Sequence, residues 1–142
     1  MGDVTAEQLH AYLKDMGIDH KSDDFRHCVH EAVHALQEEL EGPWSNRRVS
    51  QAVGTADDIS TLGGEMVCRA AEGLVMQRLG MEWDLESWAM ISAMEWLRTG
   101  RGEVPFKFWV RGIQEAQTSS LAAEYVDQLF HYAKENGYDD RK

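Results

Sequence analysis

The pentapeptide His30-Glu31-Ala32-Val33-His34 constrains this chain more than any other feature of its sequence. It matches the pattern H-E-x-x-H, in which one helix presents two imidazoles to a zinc ion beside a carboxylate. Four residues span about 400° of an α-helix, so His30 and His34 lie one turn apart on the same face. Glu31 is offset from them by about 100°, where its carboxylate can accept a proton from a water molecule. The motif therefore predicts a zinc site on a helix, with Glu31 as the general base.

The motif leaves one zinc ligand unassigned. A catalytic zinc site usually takes three protein ligands, and the two histidines supply only two of them. His27 shares their helix face, but three ligands from one short helical stretch would be crowded. The other candidates are side chains of the types that bind zinc, and sequence spacing does not choose among them: Glu65, Glu72, Asp84 and His131. Asp84 also precedes a predicted helix, where an aspartate often serves as the N-cap.

Composition argues against two classes of partner. The chain has 14 basic and 25 acidic residues and a formal charge of −11, so it repels phosphate and we expect no nucleic-acid partner. No apolar run approaches the roughly 20 residues that cross a bilayer, and Met1 to Lys14 lacks the apolar segment of a secretory signal, so we expect no membrane association. Cys28 and Cys68 have no C-x-x-C partner, which predicts buried, reduced packing residues and a cytoplasmic location.

The hydrophobic pattern predicts a mainly α-helical chain of about six helices, with at most one short strand pair. A length of 142 residues fits a single domain over 1–142, with a frayed tail over 138–142. Residues 44–58 are expected to be irregular, with a short strand over 49–53 as a weaker alternative. Capping residues, glycines and prolines mark the ends of the predicted helices. The first three helices run from Thr5 to Gly17, from about 22 to Gly42-Pro43 and from about Thr61 to Leu79. The last three run from about Asp84 to Thr99, onward from Pro105, and from Ser119 or Ser120 to Gly137.

Three segments, in the same order, resemble the peptidase domain of membrane-anchored AAA+ zinc proteases. The stretch 29–35 is similar to that family's H-E-A-G-H-A helix, 69–75 to its G-R-A-A-E-E helix, and 84–89 to its N-D-x-x-x-A-T segment. The resemblance covers about half of the chain and implies a compact, zincin-like helical fold. It also implies a set of site residues: His30, His34 and Asp84 as the zinc ligands, Glu31 as the base and Glu72 as a supporting carboxylate.

The chain departs from that family at two points. Val33 stands where the family has glycine, and only eleven residues separate Glu72 from Asp84, where the family has a Ser/Thr/Gly-rich loop. We expect a zinc-dependent metallopeptidase that hydrolyses peptide or amide bonds in a peptide or protein substrate. The alternatives are a zinc-bound, weakly active or inactive adaptor that binds a protein partner, and a metal-free helical interaction protein. Glu65 and Glu72 stay open as third ligands in place of Asp84.

Overall fold

A computed structural model describes residues 4–18, 24–41, 57–100 and 102–138. Within these ranges the chain forms six α-helices and no β-strand, which confirms the predicted mainly α fold. The helices are α1 (Ala6–Asp15), α2 (Phe25–Glu41), α3 (Asp57–Arg78), α4 (Leu85–Arg98), α5 (Phe106–Thr118) and α6 (Ser120–Glu135). The strand considered over 49–53 lies outside the described residues.

Local capping signals explain where the helices begin and end. Thr5 forms the predicted capping box: its hydroxyl accepts from the Gln8 backbone N–H, and the Gln8 side chain accepts from the Thr5 N–H. Gly80 ends α3 with a φ of +72°, a conformation that favours glycine. The start of α3 was predicted about four residues too late, at Thr61. The helix begins instead at Asp57.

Helix α3 lies between two hydrophobic clusters and contributes to both. One cluster joins it to α1, α2 and α6, and the other joins it to α4 and α5. Its contribution to the described core includes small side chains, among them Ala70 and Ala71, which are fully buried. Small residues let neighbouring helices approach closely, so α3 brings its polar side chains near α2 on one side and α4 on the other.

Tyr138, at the start of the tail predicted to fray, packs against the body of the protein. Its ring meets Tyr12 edge-on with centroids 5.5 Å apart, and its hydroxyl donates to Asp15. Residues 139–142 lie outside the described residues. None of the helices within the described ranges combines the length and the apolar composition that a bilayer-spanning segment needs.

The close approach of α3 to its neighbours can be tested at Gly73. A Cβ at this position would lie 2.5 Å from the Trp83 ring and 2.6 Å from the Gln117 amide. Gly73→Ala should therefore lower the free energy of unfolding by about 1–3 kcal/mol through overpacking. Gly63→Ala is the matched control, because Gly63 is an exposed residue of the same helix with open space around it, and it should gain up to about 1 kcal/mol. Urea denaturation measures both values, and equal stabilities would contradict the packing described.

Candidate metal site

The two histidines of the motif lie side by side on α2, as their spacing predicts. His30 is buried and His34 is partly buried. Their Nε2 atoms are 3.1 Å apart, and the rings meet edge to face with centroids 4.6 Å apart. Both Nε2 atoms therefore point to one place.

Helix α3 brings a carboxylate to the same place. Glu65 Oε1 lies 2.7 Å from His34 Nε2 and 3.5 Å from His30 Nε2. The two nitrogens and this oxygen form a triangle with no edge longer than 3.5 Å. Glu65 was one of the open alternatives for the third ligand, and it is the one that contacts both histidines.

Glu72 contacts the opposite nitrogen of His30. Its Oε2 lies 2.7 Å from His30 Nδ1, while Trp88 Nε1 donates to Oε1 at 3.2 Å and the Arg69 guanidinium lies 3.5 Å away. The Glu72 carboxylate is almost fully buried. A histidine that donates from Nδ1 to a carboxylate keeps Nε2 free for a metal, which is the usual arrangement in zinc sites. The supporting role that the sequence resemblance implies for Glu72 stays a prediction.

Cys68, which the sequence predicts only as a buried packing residue, also lies next to the histidines. Its Sγ lies 3.2 Å from His30 Nδ1 and donates to the His30 carbonyl oxygen at 3.2 Å. One ligand atom from each of His30, His34 and Cys68 can be chosen so that all three lie within 4.8 Å of one another. Cys68 follows Glu65 by three residues and precedes Glu72 by four, so all three share one face of α3. A helical-wheel projection of α3 places Cys68 on the same face as Glu65 and Glu72, and that shared face is the sequence signal for Cys68.

The carboxylates near His30 and His34 favour the positively charged form of the two imidazoles. Burial lowers the pKa of His30, but hydrogen bonds with the Cys68 thiol and two carboxylates outweigh burial and raise it to about 12. Burial likewise lowers the pKa of His34, and contacts with Cys68 and Glu65 raise it to about 10. Burial acts to raise the pKa of Glu65, but its hydrogen bonds with the two histidines hold it well below the ordinary range. These contacts therefore favour the positively charged form of both imidazoles.

The predicted base Glu31 and the candidate ligands His27 and His131 differ in whether they lie near His30. Glu31 and His27 line the same cavity as His30, and the His27 ring stacks parallel to His30 with centroids 6.3 Å apart. His131 is exposed and pairs with Glu135 on its own helix at 3.0 Å. Glu31 and His27 thus share a cavity with His30, while His131 does not line it.

Asp84, the ligand that the sequence resemblance implied, serves as the N-cap of α4. Its carboxylate accepts from the Ser87 backbone N–H at 2.9 Å and from the Ser87 hydroxyl at 2.8 Å. These hydrogen bonds lower the pKa of Asp84, which is exposed. Asp84 is not among the residues that line the cavity around His30. Its contacts therefore favour the capping role that the sequence also suggested.

A cavity of about 390 Å³ opens beside His30 and Glu65. Its polar side includes the Glu65 and Glu72 carboxylates, and α4 and α5 supply an apolar side with Trp88, Ile91 and Trp109. A volume of this size accommodates a small ligand or a short peptide segment. The cluster therefore faces a space that a substrate could enter.

No protein-family model, curated protein or solved structure matches this chain. The similarity to the AAA+-linked zinc peptidases consequently rests on the three sequence segments alone.

Proposed function

We propose that this protein binds one zinc ion through His30, His34 and Glu65 and hydrolyses a peptide or amide bond. The observation that carries the proposal is the convergence of two imidazole nitrogens and one carboxylate oxygen at 2.7 to 3.5 Å from one another. Ligand bonds of about 2.0–2.2 Å in a tetrahedral zinc site place the ligand atoms roughly 3.3–3.5 Å apart. The observed spacing fits that requirement with small adjustments of the side chains.

The donor set also suits a catalytic site. Two histidines and one glutamate leave a fourth zinc position open, as in other hydrolytic zinc sites. The chemistry that zinc supplies in such sites is Lewis acidity, which polarises a carbonyl and lowers the pKa of a water molecule to about 7. Glu72 holds His30 through Nδ1 and so fixes the direction in which Nε2 points.

Glu31 is the proposed general base. It follows His30 directly and lines the same cavity, so its carboxylate can accept a proton from a water molecule that attacks a bound carbonyl. The same carboxyl group then delivers that proton to the leaving nitrogen. The proposed substrate is a peptide or protein. An amide nitrogen must be protonated before it leaves, and Glu31 can supply the proton that it took from water.

A second candidate function rests on Cys68. If its thiolate also binds zinc, the ion has four protein ligands and no open position, as in structural zinc sites. The protein would then be a zinc-bound, inactive binding protein that recruits a protein partner. The position of Cys68 within 4.8 Å of the histidine ligand atoms is the observation that supports this reading. Glu65 Oε1 lies 2.7 Å from His34 Nε2, whereas the Cys68 sulfur lies 3.2 Å from His30 Nδ1, the nitrogen that Glu72 also contacts. We therefore favour the open site.

Zinc binding tests the ligand assignment. Protein purified without chelator should carry about one zinc per chain, and His30→Ala or His34→Ala should remove it. Glu65→Gln should weaken zinc binding by more than the roughly 10–100-fold expected when a supporting group such as Glu72 is replaced. Competition with a chromophoric chelator measures these affinities.

Asp84→Asn is the matched control for Glu65→Gln. Asparagine is also a good N-cap, so this variant should keep the fold of α4 and leave zinc affinity unchanged. A larger loss of zinc affinity in Asp84→Asn than in Glu65→Gln would assign the third ligand to Asp84 and contradict the proposed site.

Hydrolysis tests the role of Glu31. Glu31→Gln keeps the shape of the side chain but cannot accept a proton, so it should retain zinc and lower peptide cleavage by about 10²–10⁴-fold. Mass spectrometry of a broad library of capped peptides measures cleavage, and Glu86→Gln, at an exposed position of α4, is the control. Wild-type turnover by Glu31→Gln would remove Glu31 from the mechanism. Full zinc occupancy with no cleavage by the wild-type protein would favour the closed site with Cys68.

A further inference from the structure

Helix α4 carries an exposed row of apolar side chains that neither the fold nor the proposed mechanism uses. Four of the eight large apolar side chains that are exposed in the described part of the chain lie on this one helix, each between 41% and 55% exposed: Met90, Ile91, Met94 and Leu97. These four residues are called the α4 stripe below. Isolated exposed apolar residues are common on protein surfaces, whereas a contiguous group of them is typical of an interaction site.

The α4 stripe continues into the cavity beside His30. At about 100° per residue, its four members span about 120° of the helix surface, and Ile91 lies at one edge. Ile91 also lines the cavity, and the next part of the helix surface carries the other cavity-lining residues of α4: Trp88, Ser92, Glu95, Trp96 and Thr99. A ligand that enters the cavity along α4 can therefore contact the stripe at the same time.

The charges of the cavity and of the whole chain favour a cationic ligand. Five carboxylates and two guanidinium groups line the cavity, and the whole chain has a formal charge of −11. One zinc ion would not cancel the excess of negative charge around the cavity. A ligand with basic side chains is therefore attracted, and a ligand with acidic side chains is repelled.

The same charge argues against a second copy of this chain as the occupant of the stripe. Two copies that met through α4 would bring together two bodies of charge −11, which opposes self-association. Two of the four members of the stripe are methionines, whose flexible side chains adapt to ligands of different shape. These properties suit a peptide segment of variable sequence better than a partner of one fixed shape.

We propose that the α4 stripe and the cavity form one binding surface for a substrate peptide that combines apolar and basic side chains. The apolar side chains of the peptide pack on Met90, Ile91 and Met94, and its basic side chains lie toward the acidic lining of the cavity. This inference deepens the proposed function, on which it rests for calling the peptide a substrate. Binding of the peptide does not require hydrolysis, so the two proposals can be tested separately.

Nuclear magnetic resonance of the full-length, zinc-loaded protein with isotope-labelled methionine methyl groups locates the bound peptide. The chain has seven methionines, and Met90→Leu, Met94→Leu and Met16→Leu each remove and so assign one signal. The probe is a capped peptide of alternating leucine and lysine residues. It should shift the Met90 and Met94 signals in a saturable way. The signal of Met16, an exposed residue at the end of α1, should stay in place, because α1 has no contact with α4 in the described ranges.

Two counterparts of the probe separate its apolar and basic contributions. In one, glutamate replaces every lysine, and in the other, serine replaces every leucine. The glutamate peptide should bind at least about tenfold more weakly than the lysine probe, because the cavity repels it. The serine peptide should also bind at least about tenfold more weakly, because it buries no apolar side chain on the stripe.

Paired substitutions in the protein test the same two contributions. The double variant Met90→Gln/Met94→Gln keeps good helix formers on α4 and should bind the lysine probe about five- to tenfold more weakly, while Met16→Gln is its matched control and should bind it unchanged. Glu95→Gln removes one carboxylate of the cavity lining and should weaken binding about two- to fivefold. Glu124→Gln removes the same charge from an exposed position of α6, a helix that has no contact with α4 among the described residues, and should leave the affinity unchanged.

The inference is overturned if the lysine probe does not bind, if either counterpart binds as tightly, if the Met90 and Met94 signals do not respond, or if the double variant binds like the wild type. Sedimentation of the protein alone adds a check, because a dimer that the double variant separates would assign the stripe to a second copy and also overturn the inference. Zinc content and peptide cleavage are measured in the same samples. Saturable shifts of both signals without zinc or cleavage defeat the proposed hydrolase alone, whereas zinc and cleavage without those shifts defeat the present inference alone.

Discussion

The buried carboxylate of Glu72 is the constraint on which the rest of the site depends. Burying an ionised carboxylate costs several kcal/mol unless charged or polar partners compensate it. Glu72 finds those partners on three helices: His30 on α2, Arg69 on α3 itself and Trp88 on α4. These contacts tie the helices together at one point. They also hold the His30 ring by Nδ1, which leaves Nε2 facing His34 and Glu65.

The helices could be predicted well because their signals are local. The capping box at Thr5 and the glycine at Gly80 are read from a few neighbouring residues, and both mark helix ends in the structure. The start of α3 is a less accurate prediction, at about Thr61, whereas the helix begins at Asp57.

The candidate site residues could be predicted only where they lie close to one another in the sequence. His30, Glu31 and His34 follow from the period of one helix. The third donor depends on how α3 packs against α2, so the sequence left Glu65, Glu72 and Asp84 open. The structure brings both glutamates of α3 to the histidines and places the aspartate in the capping role. Cys68 was interpreted as a packing residue because it has no nearby cysteine, although its spacing from both glutamates places it on the same helix face.

X-ray absorption spectroscopy of the zinc-loaded protein tests the proposed ligand set most directly. The proposal predicts nitrogen and oxygen ligands only, at about 2.0–2.2 Å, with scattering from two imidazoles. Cys68→Ser should then give the same spectrum as the wild-type protein, and Glu65→Gln a different one. A sulfur ligand at about 2.3 Å that disappears in Cys68→Ser would contradict the open catalytic site.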